Sequence, residues 1–175
     1  LDLPPIDLYA STQTNIRTPE QARFLESLGF KRLILARELS LKQIKAIREA
    51  TSCELESFVH GALCVSYSGQ CYLSSHLTGR SANRGECIQA CRSNYDLVDS
   101  QGRVLLKNKP ILSLKDFSLA EYIPQLVDAG ISSFKIEGRL KNESYVKNIT
   151  RHYRKIIDSF GYPKSSYGEI KGGFV

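Results

Sequence analysis

Two helix-start motifs, set among short apolar segments, constrain the fold of this chain more than any other feature. Thr18 and Ser40 each stand three residues before a glutamine, which is the pattern of a helix capping box. Short apolar segments lie before, between and after these motifs, at residues 6–10, 32–36 and 54–59. Strands that alternate with helices in this way are typical of an α/β fold with a parallel sheet.

The second half of the chain continues the alternation. We predict short strands at 104–106 and 111–112, followed by a third capping box that begins at Ser118. Pro124 then predicts either a kink or a late start for that helix. The remaining predicted elements are a strand at 133–136 and a long helix at 143–160.

These elements make four strand–helix units, which is half of an eight-stranded TIM-like barrel of roughly 250 residues. A small open doubly wound sheet is the alternative, but no Gly-rich phosphate motif follows any predicted strand. We therefore predict a partial barrel domain over residues 1–160, with a cysteine-rich insertion at 60–92 and a flexible tail at 161–175.

The insertion carries four of the five cysteines within 28 residues, separated by six, fifteen and three residues: Cys64, Cys71, Cys87 and Cys91. Thiolates are soft ligands that suit iron–sulfur clusters or zinc. Structural zinc sites usually pair their ligands in two short Cys-x-x-Cys turns, whereas only the last two cysteines are close here. The spacing favours an iron–sulfur cluster over zinc and leaves disulfides or buried thiols open. Cys53 stands apart, and we expect it to be a small buried residue.

Three residues at predicted strand ends are candidate catalytic groups. His60 closes the third strand, and Glu137 and Arg139 follow the last one. In a barrel the active site lies at the carboxyl ends of the strands. A hydrogen-bonded structural histidine is the alternative for His60.

Three polar residues inside the cysteine insertion are candidates for substrate binding: Arg80, Asn83 and Arg84. Arginine can hold a carboxylate through two parallel hydrogen bonds. Ordinary solvated loop charge is the alternative for the two arginines.

The charge balance points to anionic partners. The net charge is +6 and the sequence pI is about 9.1, which favours anionic partners such as RNA or small carboxylates. A generic solvated surface is the alternative. The last predicted helix contributes four basic residues, Lys147, Arg151, Arg154 and Lys155. No apolar stretch is long enough to cross a membrane and the first residues do not resemble a signal peptide, so we expect a cytoplasmic protein with reduced thiols.

A set of specific motifs runs from Phe58 to Cys91 and contains Val59-His60-Gly61-Ala62-Leu63-Cys64, Tyr67-Ser68-Gly69-Gln70-Cys71, Leu77-Thr78-Gly79-Arg80 and Asn83-Arg84-Gly85. This stretch closely resembles the collagenase-like peptidase family. The flanking segments 35–40 and 134–139 resemble the same family. The likeness covers roughly residues 6–160.

This resemblance implies a barrel in which Cys64, Cys71, Cys87 and Cys91 hold a 4Fe–4S cluster. Several members of the family hydroxylate bases of ribosomal or transfer RNA, with prephenate implicated as the hydroxyl source, and others act in oxygen-independent ubiquinone hydroxylation. The family's catalytic domain begins with strands that this chain lacks. The chain therefore resembles the C-terminal half of the barrel, and we expect it to form a homodimer or to pair with the missing N-terminal half.

The leading hypothesis is an iron–sulfur RNA-modifying hydroxylase fragment. A peptidase that hydrolyses collagen-like chains is the second hypothesis, although no His-Glu-x-x-His or Gly-x-Ser-x-Gly motif is present. A zinc-binding module that only binds RNA or protein is the third.

Overall fold

The computed structural model describes residues 6–161 of the chain. Four strands run parallel, in the order β1, β2, β3, β7: Tyr9–Ala10, Arg32–Ile34, Glu54–Ala62 and Ile131–Glu137. A short strand, β6 (Asp116–Ser118), pairs antiparallel with the end of β3. A separate hairpin consists of β4 (Tyr95–Val98) and β5 (Val104–Lys109). The helices are α1 (Pro19–Ser27), α2 (Leu41–Ala50), α3 (Leu73–Thr78), α4 (Ile123–Asp128) and α5 (Glu143–Ser159).

The two leading capping boxes form as predicted. In α1, the Thr18 hydroxyl accepts a hydrogen bond from the Gln21 backbone N–H at 3.3 Å, and the Gln21 amide oxygen accepts one from the Thr18 N–H at 3.1 Å. Ser40 and Gln43 make the same reciprocal pair at α2. The predicted α/β fold with alternating strand–helix units is confirmed. Its description as half of a TIM-like barrel stays a prediction.

The third predicted capping box is wrong. Ser118 ends β6, where it pairs with His60 of β3. A 3-10 turn at Ala120–Tyr122 follows, and α4 starts only at Ile123, with Pro124 in its first turn. The Ser118 hydroxyl accepts a hydrogen bond from the Ala120 backbone N–H at 3.4 Å, only two residues on, so it caps no helix and Pro124 marks a late start.

Other local predictions also need correction. Residues 111–112 lie in a turn, because β5 continues to Lys109 along its partner β4. The insertion at 60–92, which shows no helical period in sequence, contains α3 and short 3-10 turns. The predicted flexible tail lies, except for Gly161, outside the described residues.

One core fills the space between the sheet and its helices. Leu55 and Val59 of β3 are buried there against Ile47 of α2, Leu126 of α4 and Tyr153 of α5. Cys53 is also buried, with its thiol donating to the Phe30 carbonyl at 3.0 Å, so it is the small buried residue predicted.

The other face of the sheet carries a network of charged side chains beside the buried rings and aliphatic groups of Phe58 and Ile34. Glu56 follows Leu55 on β3 and so projects to the opposite side. Its carboxylate lies 3.3 Å from the Arg32 guanidinium and 3.6 Å from the Lys135 ammonium. Within residues 6–161, no helix has the length and hydropathy to cross a membrane.

Candidate metal centre

A cavity lies where the parallel strands end. Gln13 follows β1, Arg37 follows β2, Cys64 follows β3 and Arg139 follows β7, and all four residues line this cavity. The carboxyl ends of parallel strands meet at one edge of a sheet, which is where α/β folds place their sites. The cysteine insertion covers this edge.

All four clustered cysteines line that same cavity: Cys64, Cys71, Cys87 and Cys91. Each is partly buried, and none forms a disulfide. Their number and softness match the ligand set of a cysteine-bound iron–sulfur cluster. Within the described range, no three His, Cys, Asp or Glu side chains are grouped so that they could hold a single metal ion. A 4Fe–4S cluster makes a different demand, because each of its four thiolates binds a different iron.

The cysteines also influence one another electrostatically. Burial raises the pKa of the Cys91 thiol, the Arg92 guanidinium lowers it, and the neighbouring Cys64, Cys87 and Cys71 raise it further. Clustered thiols resist becoming several thiolates at once, because like charges repel. Metal binding would supply the positive charge that favours the thiolate forms.

Ser68 fixes the first part of the insertion to the end of β2. Its side chain is almost fully buried, at 2% exposure. The hydroxyl accepts a hydrogen bond from the Arg37 backbone N–H at 3.2 Å and donates one to the Glu38 carboxylate at 3.0 Å. The same carboxylate accepts from the Ser68 backbone N–H at 3.2 Å. These bonds therefore fix the backbone between Cys64 and Cys71.

Two glycines permit close backbone contacts around the cavity. A Cβ on Gly69 would lie 2.4 Å from the Gln13 carbonyl oxygen, and one on Gly61 would lie 2.3 Å from the Glu137 carbonyl oxygen. Both glycines have positive φ, at +71° and +108°. These positions require glycine for sterics and for backbone conformation. They bring the insertion against the end of β1, and β3 against β7.

Side-chain bonds to the backbone shape the second part of the insertion. The Asn83 amide oxygen accepts from the Cys71 backbone N–H at 3.0 Å. Ser74 on α3 accepts from the Ile88 N–H at 3.2 Å. The Cys87 sulfur accepts from the Gln89 N–H at 3.3 Å. Asn83, predicted as a substrate-binding residue, thus orients the segment that carries Cys71.

Arg92 is a residue of this site that the sequence motifs did not reveal. Its guanidinium donates to the Leu63 carbonyl at 2.6 Å, to the Ser113 hydroxyl at 3.0 Å and to the Leu114 carbonyl. These bonds join the segment after Cys91 to the residue before Cys64 and to the chain that leads into β6. Its position next to Cys91 was the only signal in the sequence.

The structure brings two of the predicted catalytic residues to the cysteine cavity. Glu137 and Arg139 both line it. The Glu137 carboxylate accepts from the Arg139 backbone N–H at 2.8 Å and lies 3.8 Å from the Arg139 guanidinium. Their catalytic roles stay predictions.

His60 occupies a different environment. It is not among the residues that line the cavity. Its Nδ1 lies 3.3 Å from the Tyr153 hydroxyl, and its ring packs against Tyr145 and Tyr153 of α5. Burial lowers the pKa of His60, while the Asp116 carboxylate opposes that shift. The contacts are those of the structural alternative, a hydrogen-bonded histidine against a helix.

Arg80 and Arg84 are exposed and lie outside the cavity wall. Within the described part of the chain, neither guanidinium makes an ion pair. They are therefore free to meet a ligand that approaches from solvent, and their predicted role in substrate binding stays open.

A second cavity of about 460 Å³ adjoins the first and shares Ala62, Gln89, Arg92 and Arg139 with it. Its wall also carries Lys115, Asp116 and Lys141. The Lys141 ammonium lies 2.7 Å from the Asp116 carboxylate and, as the main cause, lowers the pKa of that carboxyl. The cavity wall is therefore positively charged, because it carries one carboxylate and four cationic side chains: Arg92, Lys115, Arg139 and Lys141.

Comparison with known proteins places these features in a family. The model of peptidase family U32 matches residues 2–171. A 23S rRNA 5-hydroxycytidine synthase of Escherichia coli (strain K12) is 59% identical over 159 residues, which are 91% of this chain and 24% of that protein. The tRNA hydroxylation protein P1 of Bacillus subtilis (strain 168) is 40% identical, over 90% of this chain and 39% of that protein.

A third relative, from Porphyromonas gingivalis (strain ATCC BAA-308 / W83), carries the name collagenase. It is 37% identical over 168 residues, which are 89% of this chain and 40% of that protein. This chain thus spans between about a quarter and two fifths of the length of these three relatives.

Proposed function

Because this chain belongs to peptidase family U32, we propose that it is the cysteine-bearing part of an enzyme that hydroxylates bases of ribosomal or transfer RNA. One observation carries the proposal: four cysteines share a cavity at the strand ends with Glu137 and Arg139. The names of the rRNA and tRNA relatives support the reaction class.

We propose that Cys64, Cys71, Cys87 and Cys91 hold a 4Fe–4S cluster. The donor set suits it, since four unpaired, partly buried thiols line one cavity. When bound, such a cluster supplies one-electron chemistry that no protein side chain of this site provides. The side-chain bonds of Ser68, Asn83 and Arg92 would hold the cysteine segments in place around it.

The neighbouring positive cavity would accept a small anionic co-substrate such as prephenate, as the family resemblance implies. Lys115 is the side chain best placed to bind a carboxylate there, because Lys141 is already paired with Asp116 at 2.7 Å. Arg139 is the second, since its ion pair with Glu137 is longer, at 3.8 Å. Glu137 would keep the Arg139 guanidinium oriented toward the cavity through its 3.8 Å ion pair.

The exposed face of α5 would contribute to RNA binding. Of its four basic residues, Lys147 pairs with Glu143 and Arg154 pairs with Asp158. Arg151 and Lys155 are exposed and make no ion pair within residues 6–161, so their charges are available to phosphates. We further propose a cytoplasmic location, where thiols stay reduced.

Salt dependence tests the RNA contact. Affinity for single-stranded RNA should fall with a log–log slope of about −0.7 for each phosphate neutralised. Replacing Arg151 and Lys155 with glutamine should make the slope shallower by about 1.4, which is two phosphates. The matched control replaces the exposed Lys42 and Lys45 of α2. An equal change of the salt slope in the α5 double variant and in the α2 double variant would contradict a specific RNA contact through α5.

A direct assay tests the reaction. The chain, alone and together with the segments that its longer relatives carry, is loaded anaerobically with iron and sulfide and incubated with unmodified ribosomal and transfer RNA and prephenate. Mass spectrometry of the nucleosides should show the gain of one oxygen, and Cys71→Ser should abolish it.

Cleavage of gelatin without any RNA product would favour the peptidase hypothesis instead. In the described part of the chain, no cysteine or serine side chain hydrogen-bonds to a histidine.

A further inference from the structure

Arg92 holds together the two ends of the cysteine insertion. Its guanidinium donates to the Leu63 carbonyl, immediately before Cys64, while its backbone directly follows Cys91. The other guanidinium bonds reach Ser113 and Leu114, ahead of β6. One side chain thus sets the separation of the first and last cysteines.

The charge of Arg92 has no direct counter-ion. Every group that accepts its hydrogen bonds is a neutral oxygen, and among residues 6–161 no carboxylate lies within ion-pair distance of it. The Asp116 carboxylate interacts electrostatically with the Arg92 guanidinium, but it already accepts a hydrogen bond from the Lys141 ammonium. A partly buried cation without a compensating anion is costly. The position of this cation beside four thiols is explained if the thiols bind a cluster as thiolates, because the site then carries negative charge.

We infer that Arg92 is a positioning residue that clamps the cysteine centre and supplies its positive counter-charge. This inference rests on the proposed iron–sulfur centre. Hydrogen bonds and net charge near a cluster set its reduction potential. Residues that orient metal ligands typically affect metal affinity by about 10- to 100-fold. Arg92 should therefore control both the potential and the retention of iron.

Two substitutions separate the clamp from the charge. Arg92→Gln removes the charge and most of the donors, so the reduction potential should become more negative and iron should be lost to a chelator at least about tenfold faster. Arg92→Lys keeps the charge, but an ammonium lacks the fork that spans both carbonyls. It should keep a potential close to that of the original chain while losing iron faster. The matched control is Arg23→Gln, an exposed arginine of α1.

The experiment is anaerobic spectroelectrochemistry of the loaded chain, with iron and sulfide analysis during chelator challenge. An unchanged potential in Arg92→Gln would overturn the counter-charge role. If Arg92→Gln does not fold, the test rests on Arg92→Lys. A rate of iron loss in Arg92→Lys equal to that of the original chain would overturn the positioning role of Arg92. Absence of sulfide from the unsubstituted chain is a different outcome, since it removes the proposed cluster itself.

Discussion

The Ser68 hydroxyl donates a 3.0 Å hydrogen bond to the Glu38 carboxylate, which ties the cysteine insertion to the loop after β2. Ser68→Ala should leave this buried contact unmade and lower the free energy of unfolding by about 1–3 kcal/mol. Because the bond lies between Cys64 and Cys71, iron bound per chain should also fall. Urea unfolding and iron analysis measure the two effects. Ser75→Ala, on the exposed side of α3, is the matched control and should change neither.

Gly61 should tolerate no side chain. In Gly61→Ala the new Cβ would meet the Glu137 carbonyl oxygen at 2.3 Å, at a backbone φ of +108°. Overpacking and strain together should lower the free energy of unfolding by at least about 2 kcal/mol. Gly79→Ala is the control, because Gly79 also has positive φ but a Cβ there would have nothing within 4 Å. Equal losses in the two variants would contradict a steric role for the β3–β7 contact.

His60 should make stability depend on pH. Burial lowers its pKa in the folded protein, so the unfolded chain, with a pKa of about 6.5, binds the proton more tightly. Its contribution to stability is therefore full above about pH 6.5 and is lost as the pH falls from there toward the lowered folded value.

Urea unfolding between about pH 7.5 and about pH 5.5 measures this effect. The free energy of unfolding should fall less steeply with decreasing pH in His60→Gln than in the original chain. His76→Gln, at an exposed position of α3, should keep the original slope. An identical slope in all three proteins would mean that His60 is not held in its neutral form by burial.

The face of the sheet opposite the core predicts association. Helices α1, α2, α4 and α5 contribute to one core on one side of the sheet, whereas the Arg32–Glu56–Lys135 network occupies the other. Parallel sheets are normally covered on both faces. The chain alone should sediment as a dimer of twice 19.6 kDa, or bind the N-terminal segment of a longer relative. A monomer that also fails to bind that segment would contradict the half-barrel prediction.

Local sequence patterns predicted those elements that depend on local bonds. Thr18 and Ser40 cap their helices as expected, because each cap needs only a glutamine three residues away. Ser118 has the same local pattern, but its backbone pairs with β3, which is distant in sequence. Tertiary pairing therefore overrides the motif there.

The same distinction explains the site. The four cysteines and the strand-end residues Glu137 and Arg139 could be found because spacing and topology bring them together. Arg92 could not, since its partners Leu63 and Leu114 are backbone carbonyls more than twenty residues away in either direction. His60 lies near the end of β3, as predicted, but the packing of α5 holds its ring against Tyr153.

Metal analysis of the anaerobically purified chain decides whether the four cysteines hold an iron–sulfur cluster. Iron, acid-labile sulfide and zinc are measured on the same sample, with Cys71→Ser as the variant that removes one ligand. We expect about four iron and about four sulfide per chain, with marked loss of both in the variant. One zinc per chain, without sulfide, would rule the cluster out.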